Sequence, residues 1–544
     1  MSFKKTAIRF LGVISLFAFA AAGGQAQSAK QWFHLDLKAD TVVGISTDRT
    51  YRELLSSRKP TPVVVAVIDG GIDSTHEDLK RVLWTNPKEI PGNGIDDDKN
   101  GYVDDIHGWN FIGGRDGRNV QYETAEVTRQ YVRLKALYEG RKRADLKPAQ
   151  QKEYDLFVKT KAEVQKKRQE YQEQYQSISS FYGQFQTVVA ALKQALGVSK
   201  LDTNILKNPT AGDALVKRQA ALLYELMAPQ GYGDADDVQN ELKRGMEELK
   251  ARAEYAYNPE YDSRNIVGDK PDDLNDNNYG NPDISGPDPL HGTHVAGIIA
   301  ADRTNEVGVK GVADQVQIMA IRAVPDGDER DKDVANAIRY AANNGAQIIN
   351  MSFGKDYSPQ RKAVEDAMKY ALSKGVLLVH AAGNDSKFLD TTASYPSDKY
   401  LDGTPIPNLI TVGAIASKEG ENLVAPFSNY GRKSVDVFAP GLGIYSTTPG
   451  NQYENLSGTS MAAPVVTGIA AVLKSYFPRL TYADLKRIIQ QSATVYRTKV
   501  LRPESKQLVD FSELSRTGAV VNLYEAVKMA AGEEASGGAR KGLN

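Results

Sequence analysis

Cysteine is absent from all 544 residues, which excludes disulfides, thiolate metal sites and a cysteine nucleophile. A surplus of one charge is missing as well. The 67 Lys+Arg stand against 68 Asp+Glu for a net charge of −1, so nothing here suggests a nucleic-acid partner. Long apolar runs are equally scarce. Phe10–Ala22 is too short for a membrane helix, which needs about 20 residues, so no stable membrane insertion is expected. Lys4, Lys5 and Arg9 precede that run and Gly24-Gln25-Ala26 follows it with small residues. Together they predict a signal peptide over 1–26 and a secreted or periplasmic protein starting near Gln27. What remains is ordinary globular material, 41% hydrophobic and 25% charged. The chain is long enough to build a core without disulfides.

After a mixed segment over 27–60, Val63–Ile68 is an unbroken run of mainly β-branched residues. Such a run suits a strand buried on both faces of a parallel sheet. Similar runs recur at Val316–Ile321, Ile348–Met351, Val376–His380 and Leu409–Val412. Helical patterns lie between them at Asp333–Asn344 and Pro359–Lys374, closed by Gly345 and Gly375. The alternation predicts an α/β fold with a doubly wound, mostly parallel sheet. One block interrupts it. In residues 123–258, Phe157, Val164, Tyr171, Ile178, Phe185 and Leu192 recur every seven residues, with Pro148 placed for a helix start and Gly197 for its end. Further helices are expected at Gly212–Met227 and Asp234–Tyr257. This block is an inserted helical subdomain and a candidate surface for a protein partner. It divides an α/β domain into 61–122 and 259–531, leaving 532–544 as a tail.

Three places carry chemistry. Asp69 ends the first strand run, followed by Gly70-Gly71, where the carboxyl ends of parallel strands collect catalytic groups; alone, Asp-Gly is also common turn chemistry. His291 opens His-Gly-Thr-His-Val-Ala-Gly at the mouth of a helix, with His294 one turn on. The spacing of three and the lack of an acid between them argue against a zinc site of the His-Glu-x-x-His kind. Ser460 lies in Gly-Thr-Ser-Met-Ala-Ala-Pro at the entry of an apolar helix. An isolated serine there reads equally as an N-cap. A nucleophilic serine needs an adjacent base, and the base needs a third group to orient it. Asp69, His291 and Ser460 supply those roles in the chain order Asp…His…Ser, the order of subtilisin.

These motifs resemble the subtilisin-like serine proteases, the subtilases of peptidase family S8. Val-Ile-Asp69-Gly-Gly-Ile, His291-Gly-Thr-His-Val-Ala-Gly and Gly-Thr-Ser460-Met-Ala-Ala-Pro match all three active-site motifs of that family. The resemblance implies a three-layer α/β/α domain and a secreted or periplasmic serine endopeptidase. Such an enzyme cuts polypeptide substrates through an acyl-enzyme on Ser460. It also implies that Asn384, in Ala381-Ala382-Gly383-Asn384, completes the oxyanion hole. Ser352, Phe353, Gly354, Ala381 and Gly383 would line the substrate-binding segments, with a broad or apolar preference. Two other functions fit less well: a scaffold working through the helical insertion, and an esterase, whose nucleophile usually lies in Gly-x-Ser-x-Gly.

A second signal is Asp96-Asp97-Asp98-Lys99-Asn100-Gly101-Tyr102-Val103-Asp104. Asp96, Asp98, Asn100 and Asp104 stand at side-chain ligand positions of an EF-hand-type loop, with Tyr102 supplying a backbone carbonyl. His107 replaces the closing Glu, and Asp105 is a substitute for it. Structural calcium is expected there. Asp78 is a further calcium candidate by resemblance, and the acidic loop from Asp262 to Asp288, with seven Asp and no Glu, is another. Two features depart from the family pattern. Asp69 and His291 are 222 residues apart, and 27–60 is short for a folded inhibitory propeptide.

Overall fold

The computed structural model describes residues 31–228 and 233–536. The expected signal peptide and residues 537–544 of the expected tail lie outside them. The described chain divides into a sheet-based unit, through Glu126 and again from Asp262, and a helical unit over Val127–Tyr261.

The sheet-based unit is organised around β1 (Val63–Asp69). Its side chains alternate between two cores, as strand geometry requires. Val63, Val65 and Val67 enter one cluster, while Ala66 and Ile68 enter another. Around it lie β2 (Gly108–Asn110), β3 (Val316–Arg322), β4 (Ile348–Met351), β5 (Leu377–Ala381), β6 (Leu409–Ile415) and β7 (Val437–Pro440). All seven are parallel, in the order β2-β3-β1-β4-β5-β6-β7, with short strands Ala519–Val520 and Thr494–Val495 extending the β7 edge. The chain passes from β3 over β1 to β4, so β1 lies where the winding reverses, the place where a crevice opens at the carboxyl ends.

Helices α1 (Leu290–Ala300) and α4 (Thr459–Tyr476) cover the valine face of β1, and α2 (Asp331–Asn343) and α3 (Arg361–Ser373) cover the other. The result is a three-layer α/β/α arrangement. Residues 31–55 belong to it: Trp32, Phe33, Ile45 and Leu55 are buried in the same cluster as α1 and α4.

In the helical unit, one helix runs Pro148–Leu196, with Pro148 in its first turn and Gly197 closing it in a left-handed conformation. Five of the six heptad positions are buried, and Tyr171 is partly buried. The stripe packs on helices Ala214–Met227 and Ala235–Lys250 of the same unit. The division at Val127, rather than at Glu123, has a physical cause. Glu123 and Glu126 are buried acids of the sheet-based unit, bonded to Arg330 and Lys355. The Ser263 hydroxyl donates to Glu123 at 2.5 Å, so the two ends of the insertion leave the sheet-based unit side by side.

Candidate active site

Asp69 closes β1 opposite Arg322 of β3. Its Oδ1 accepts from the Gly70 N–H and from His291 Nδ1, each at 2.8 Å. Its Oδ2 is buried without a partner among the described residues. The turn that follows is held by Arg322, whose Nε donates to the Gly70 carbonyl at 2.7 Å. Burial pushes that guanidinium down to about 10.

His291 stands in the first turn of α1, and its approach to Asp69 depends on glycine. A Cβ on Gly292 would lie 2.2 Å from the Gly71 carbonyl oxygen, and one on Gly71, at φ +143°, 2.0 Å from that of Ser285. Burial works to lower the His291 pKa, but the Asp69 carboxylate, with Asp288 and Asp326 further off, raises it above the ordinary histidine value. His294 differs. It is fully buried, its Nε2 donates to the Glu454 carbonyl at 3.1 Å, and burial lowers its pKa to about 4. A neutral, enclosed imidazole in that position is structural.

Ser460 follows the first residue of α4. Met351 of β4 pairs with Ile68, which puts Ser352 beside Asp69 at the edge of the crevice. Ser352 and Ser460 are doubly joined. The Ser352 hydroxyl donates to the Ser460 carbonyl at 3.0 Å, and the Ser460 hydroxyl donates to the Ser352 carbonyl at 3.2 Å. The Asp69–His291 bond is therefore formed, whereas among the described residues no hydrogen bond joins Ser460 to His291. Such bonds commonly tighten only around substrate.

The Asn384 amide has one possible orientation. Its oxygen accepts from the Thr459 N–H at 2.9 Å, and an N–H can only donate, so Nδ2 points the other way. Nδ2 and the Ser460 N–H lie 3.2 and 3.5 Å from the position of a Cβ on Gly458. Two donors thus face one small space beside the serine. The Ala381–Asn384 segment is held by Gly383 N–H donating to Thr459 Oγ1 at 3.0 Å and by Asn429, whose amide donates to the Ala382 carbonyl at 2.8 Å. Across the crevice, the Phe353 carbonyl accepts from His380 Nε2 at 2.9 Å, and Gly354 packs close to the Tyr395 carbonyl. Arg322, Asn429 and His380 are supports outside the three motifs, and Thr459 is a support within one of them.

In the acidic loop after β1, carboxylate oxygens of Glu89, Asp96 and Asp98 lie within 4.8 Å of one another. Three hard oxygen donors at that spacing fit calcium. Glu89 was not expected; with the expected Asp96 and Asp98 it forms this group, and all three carboxylates also accept backbone N–H bonds, as other residues of the loop do. Asp104 accepts from the Gly92 and Gly94 N–H groups at 2.9 Å, and the Asn100 side-chain oxygen accepts from the Tyr102 N–H at 2.8 Å. Tyr102 packs its ring against Trp109, Phe111 and Tyr340. Asp105, the expected substitute for the closing Glu, is buried, accepts from the Tyr340 hydroxyl at 2.5 Å and has its pKa raised to about 6 by burial. The Asp78 carboxylate accepts from Asn305 Nδ2 and the Val309 N–H. In the Asp262–Asp288 loop, Asp269 and Asp276 are met by internal cations. Arg264 bonds Asp269 and Asp333, and Lys332 bonds Asp269 and Asp276, at 2.6–3.2 Å.

A model of the Subtilase family matches residues 61–519. The chain is 39% identical over 236 residues to "Thermophilic serine proteinase" of Bacillus sp. (strain AK1), covering 43% of this chain and 53% of that protein. It is 38% identical over 206 residues to "Subtilisin BL" of Lederbergia lenta, covering 38% of this chain and 70% of that one. The match thus spans about half the length of the first relative. A solved structure described as proteases from Pseudoalteromonas arctica PAMC 21717 aligns at 26% identity and a TM-score of 0.38, covering 47% of this chain and 80% of that one. No described helix is long and apolar enough to cross a membrane.

Proposed function

Because the chain belongs to the Subtilase family, we propose that it is a serine endopeptidase exported to the periplasm or the medium, acting on polypeptides. One observation carries the reading. His291 is bonded through Nδ1 to Asp69, while Ser460 is held at the adjoining strand end with the Asn384 amide facing the same space.

With Nδ1 engaged, Nε2 is the nitrogen left to take a proton. For the reaction, the Ser460 hydroxyl has to leave the Ser352 carbonyl and donate to that nitrogen instead. The oxygen attacks the peptide carbonyl as His291 takes its proton, and Asp69 stabilises the imidazolium. The negative charge developing on the carbonyl oxygen is met by Asn384 Nδ2 and the Ser460 N–H. His291 then protonates the leaving amine, and water releases the acyl group by the reverse sequence. The family resemblance puts the substrate backbone along Ser352–Gly354 and Ala381–Gly383, where Gly354 is exposed at the rim of the crevice. Calcium would be held by Glu89, Asp96 and Asp98 and would supply charge neutralisation that fixes the loop, with no part in the reaction.

The test is labelling by a fluorophosphonate together with cleavage of casein by the purified protein. Labelling at Ser460 and cleavage that both vanish in Ser460→Ala are expected. Native protein that is neither labelled nor proteolytic refutes the reading.

A further inference from the structure

Arg322 is a buried cation without an anion. It ends β3 at 2% exposure, and among the described residues no carboxylate pairs with it. Its guanidinium bonds only neutral oxygens. Nε donates to the Gly70 carbonyl at 2.7 Å, Nη1 to Asn110 Oδ1 at 3.2 Å and to the Ile112 carbonyl, and Nη2 to the Val120 carbonyl. A buried charge is costly unless it is paired. Burial brings the pKa of this group down to about 10, which still leaves it charged at neutral pH. Asp283, Asp288 and Asp326 favour that charge from exposed positions without bonding it. Arg264, also buried in this unit, is by contrast neutralised by Asp269 and Asp333.

The bonds of this group show what it holds. Asp69 is followed by two glycines, the residues with the widest backbone freedom. Its Oδ1 accepts from one of them, the Gly70 N–H, and the same oxygen receives His291 Nδ1. Gly70 therefore has to keep one backbone conformation for the carboxylate to stay in line, and the Gly70 carbonyl is the group that Arg322 grips. The far end of the fork is fixed to Asn110, Ile112 and Val120, and Asn110 exchanges two backbone bonds with Asn281. Because a guanidinium is planar, those far bonds set the direction in which Nε–H points. The side chain also meets the loop that leads to His291. A Cβ on Gly286, at φ +64°, would stand 2.2 Å from Nε. One flat group thus touches both the turn after Asp69 and the approach to His291.

On the endopeptidase reading above, we propose that Arg322 is a positioning residue for the Asp69–His291 pair. Its fork carries the fixed frame of Asn110, Ile112 and Val120 to the Gly70 carbonyl, and so holds the Asp69 carboxylate where His291 Nδ1 meets it. Arg322 itself touches none of the reacting atoms. Its loss slows the chemical step, which needs an oriented base, and leaves substrate binding alone. Lysine is no replacement, since an ammonium keeps the charge but has no planar fork to reach both ends.

The test compares the full chain with Arg322→Lys and Arg322→Met on a tetrapeptide anilide, with kcat counted per site titrated by a fluorophosphonate. Both variants are expected to lose about tenfold or more in kcat, with KM changed by less than about twofold. The downfield proton resonance of the His291 Nδ1–H bonded to Asp69 is expected to move toward the amide region in both. Arg322→Lys keeps the buried charge, so its result stands where Arg322→Met does not fold. Arg264→Lys, the same change at the paired guanidinium, is the control: a lower melting temperature, with kcat and the resonance unmoved. Unchanged kcat in Arg322→Lys, a loss confined to KM, or a resonance that stays in place overturns the assignment and leaves the endopeptidase reading standing. So does failure of both variants to titrate any site, which would make Arg322 a support of the whole fold. Wild type that is neither labelled nor active overturns both readings.

Discussion

The segment before β1 has the position of a removable leader but the packing of a core element, and this can be tested with one substitution. Phe33 is fully buried in the cluster that also holds α1 and α4. Its carbonyl accepts from the Ile45 N–H at 2.8 Å, and the Ile45 carbonyl accepts from the Leu523 N–H at 2.9 Å, so the segment is bonded to the far end of the chain. Phe33→Ala removes a buried ring and leaves a cavity, at a cost of about 3–5 kcal/mol. That is a large part of the 5–15 kcal/mol that typically stabilises a folded protein. At about 2–4 °C per kcal/mol for domains of moderate size, and less in a larger unit, the melting temperature should fall by roughly 5–10 °C. The measurement is thermal unfolding followed by circular dichroism, in a Ser460→Ala background so that self-digestion does not intervene. Lys38→Ala, an exposed change in the same segment, serves as the control with no shift expected. An unchanged transition in Phe33→Ala, or active enzyme whose chain begins beyond Pro60, would refute the argument.

Three further outcomes are expected. Asn384→Ala lowers kcat on the order of 10²–10³-fold with little change in KM, a figure taken from subtilisin and hence from this family; a loss confined to KM would remove Asn384 from the oxyanion site. Because Asp69, Asp288 and Asp326 raise the His291 pKa and only the neutral ring accepts a proton, the acid limb of kcat/KM should lie above the ordinary value of about 6.5. The charge-removing change Asp288→Asn should shift it to lower pH. For stability the sign is opposite: the protonated ring favours the folded state below the unfolded pKa, and that contribution disappears as pH rises through the folded one. Finally, chelation should lower the melting temperature of the wild type but not of Asp98→Asn, measured by calorimetry with and without added calcium; equal transitions throughout would dissociate Glu89, Asp96 and Asp98 from ion binding.

The sequence made the local elements legible and left the long-range ones hidden. The β-branched run ending at Asp69 suits a doubly buried strand and forms one, and the seven-residue stripe from Phe157 to Leu192, bounded by Pro148 and Gly197, lies along one helix as its period requires. The triad candidates were legible because each sits in its own motif. Glu89 was not, because it reaches Asp96 and Asp98 through the curl of a loop that no periodicity records. Arg264 and Lys332 were not, because Arg264 meets Asp333 and Lys332 meets Asp269 across segments brought together only by packing. Asn429 escaped for the same reason: it is far from Ala382 in the chain and touches it only in the fold.

The helix carrying His291 is buried at every residue from Gly292 to Ala300, and this bears on how the protein would fail on heating. An imidazole mounted on a loop can swing away while the rest of the molecule stays folded. Here the ring is partly exposed, but it is mounted on a helix whose following residues are all buried, so its alignment with Asp69 should hold for as long as that interior does. Inactivation and global collapse should therefore arrive together, as a single sharp event.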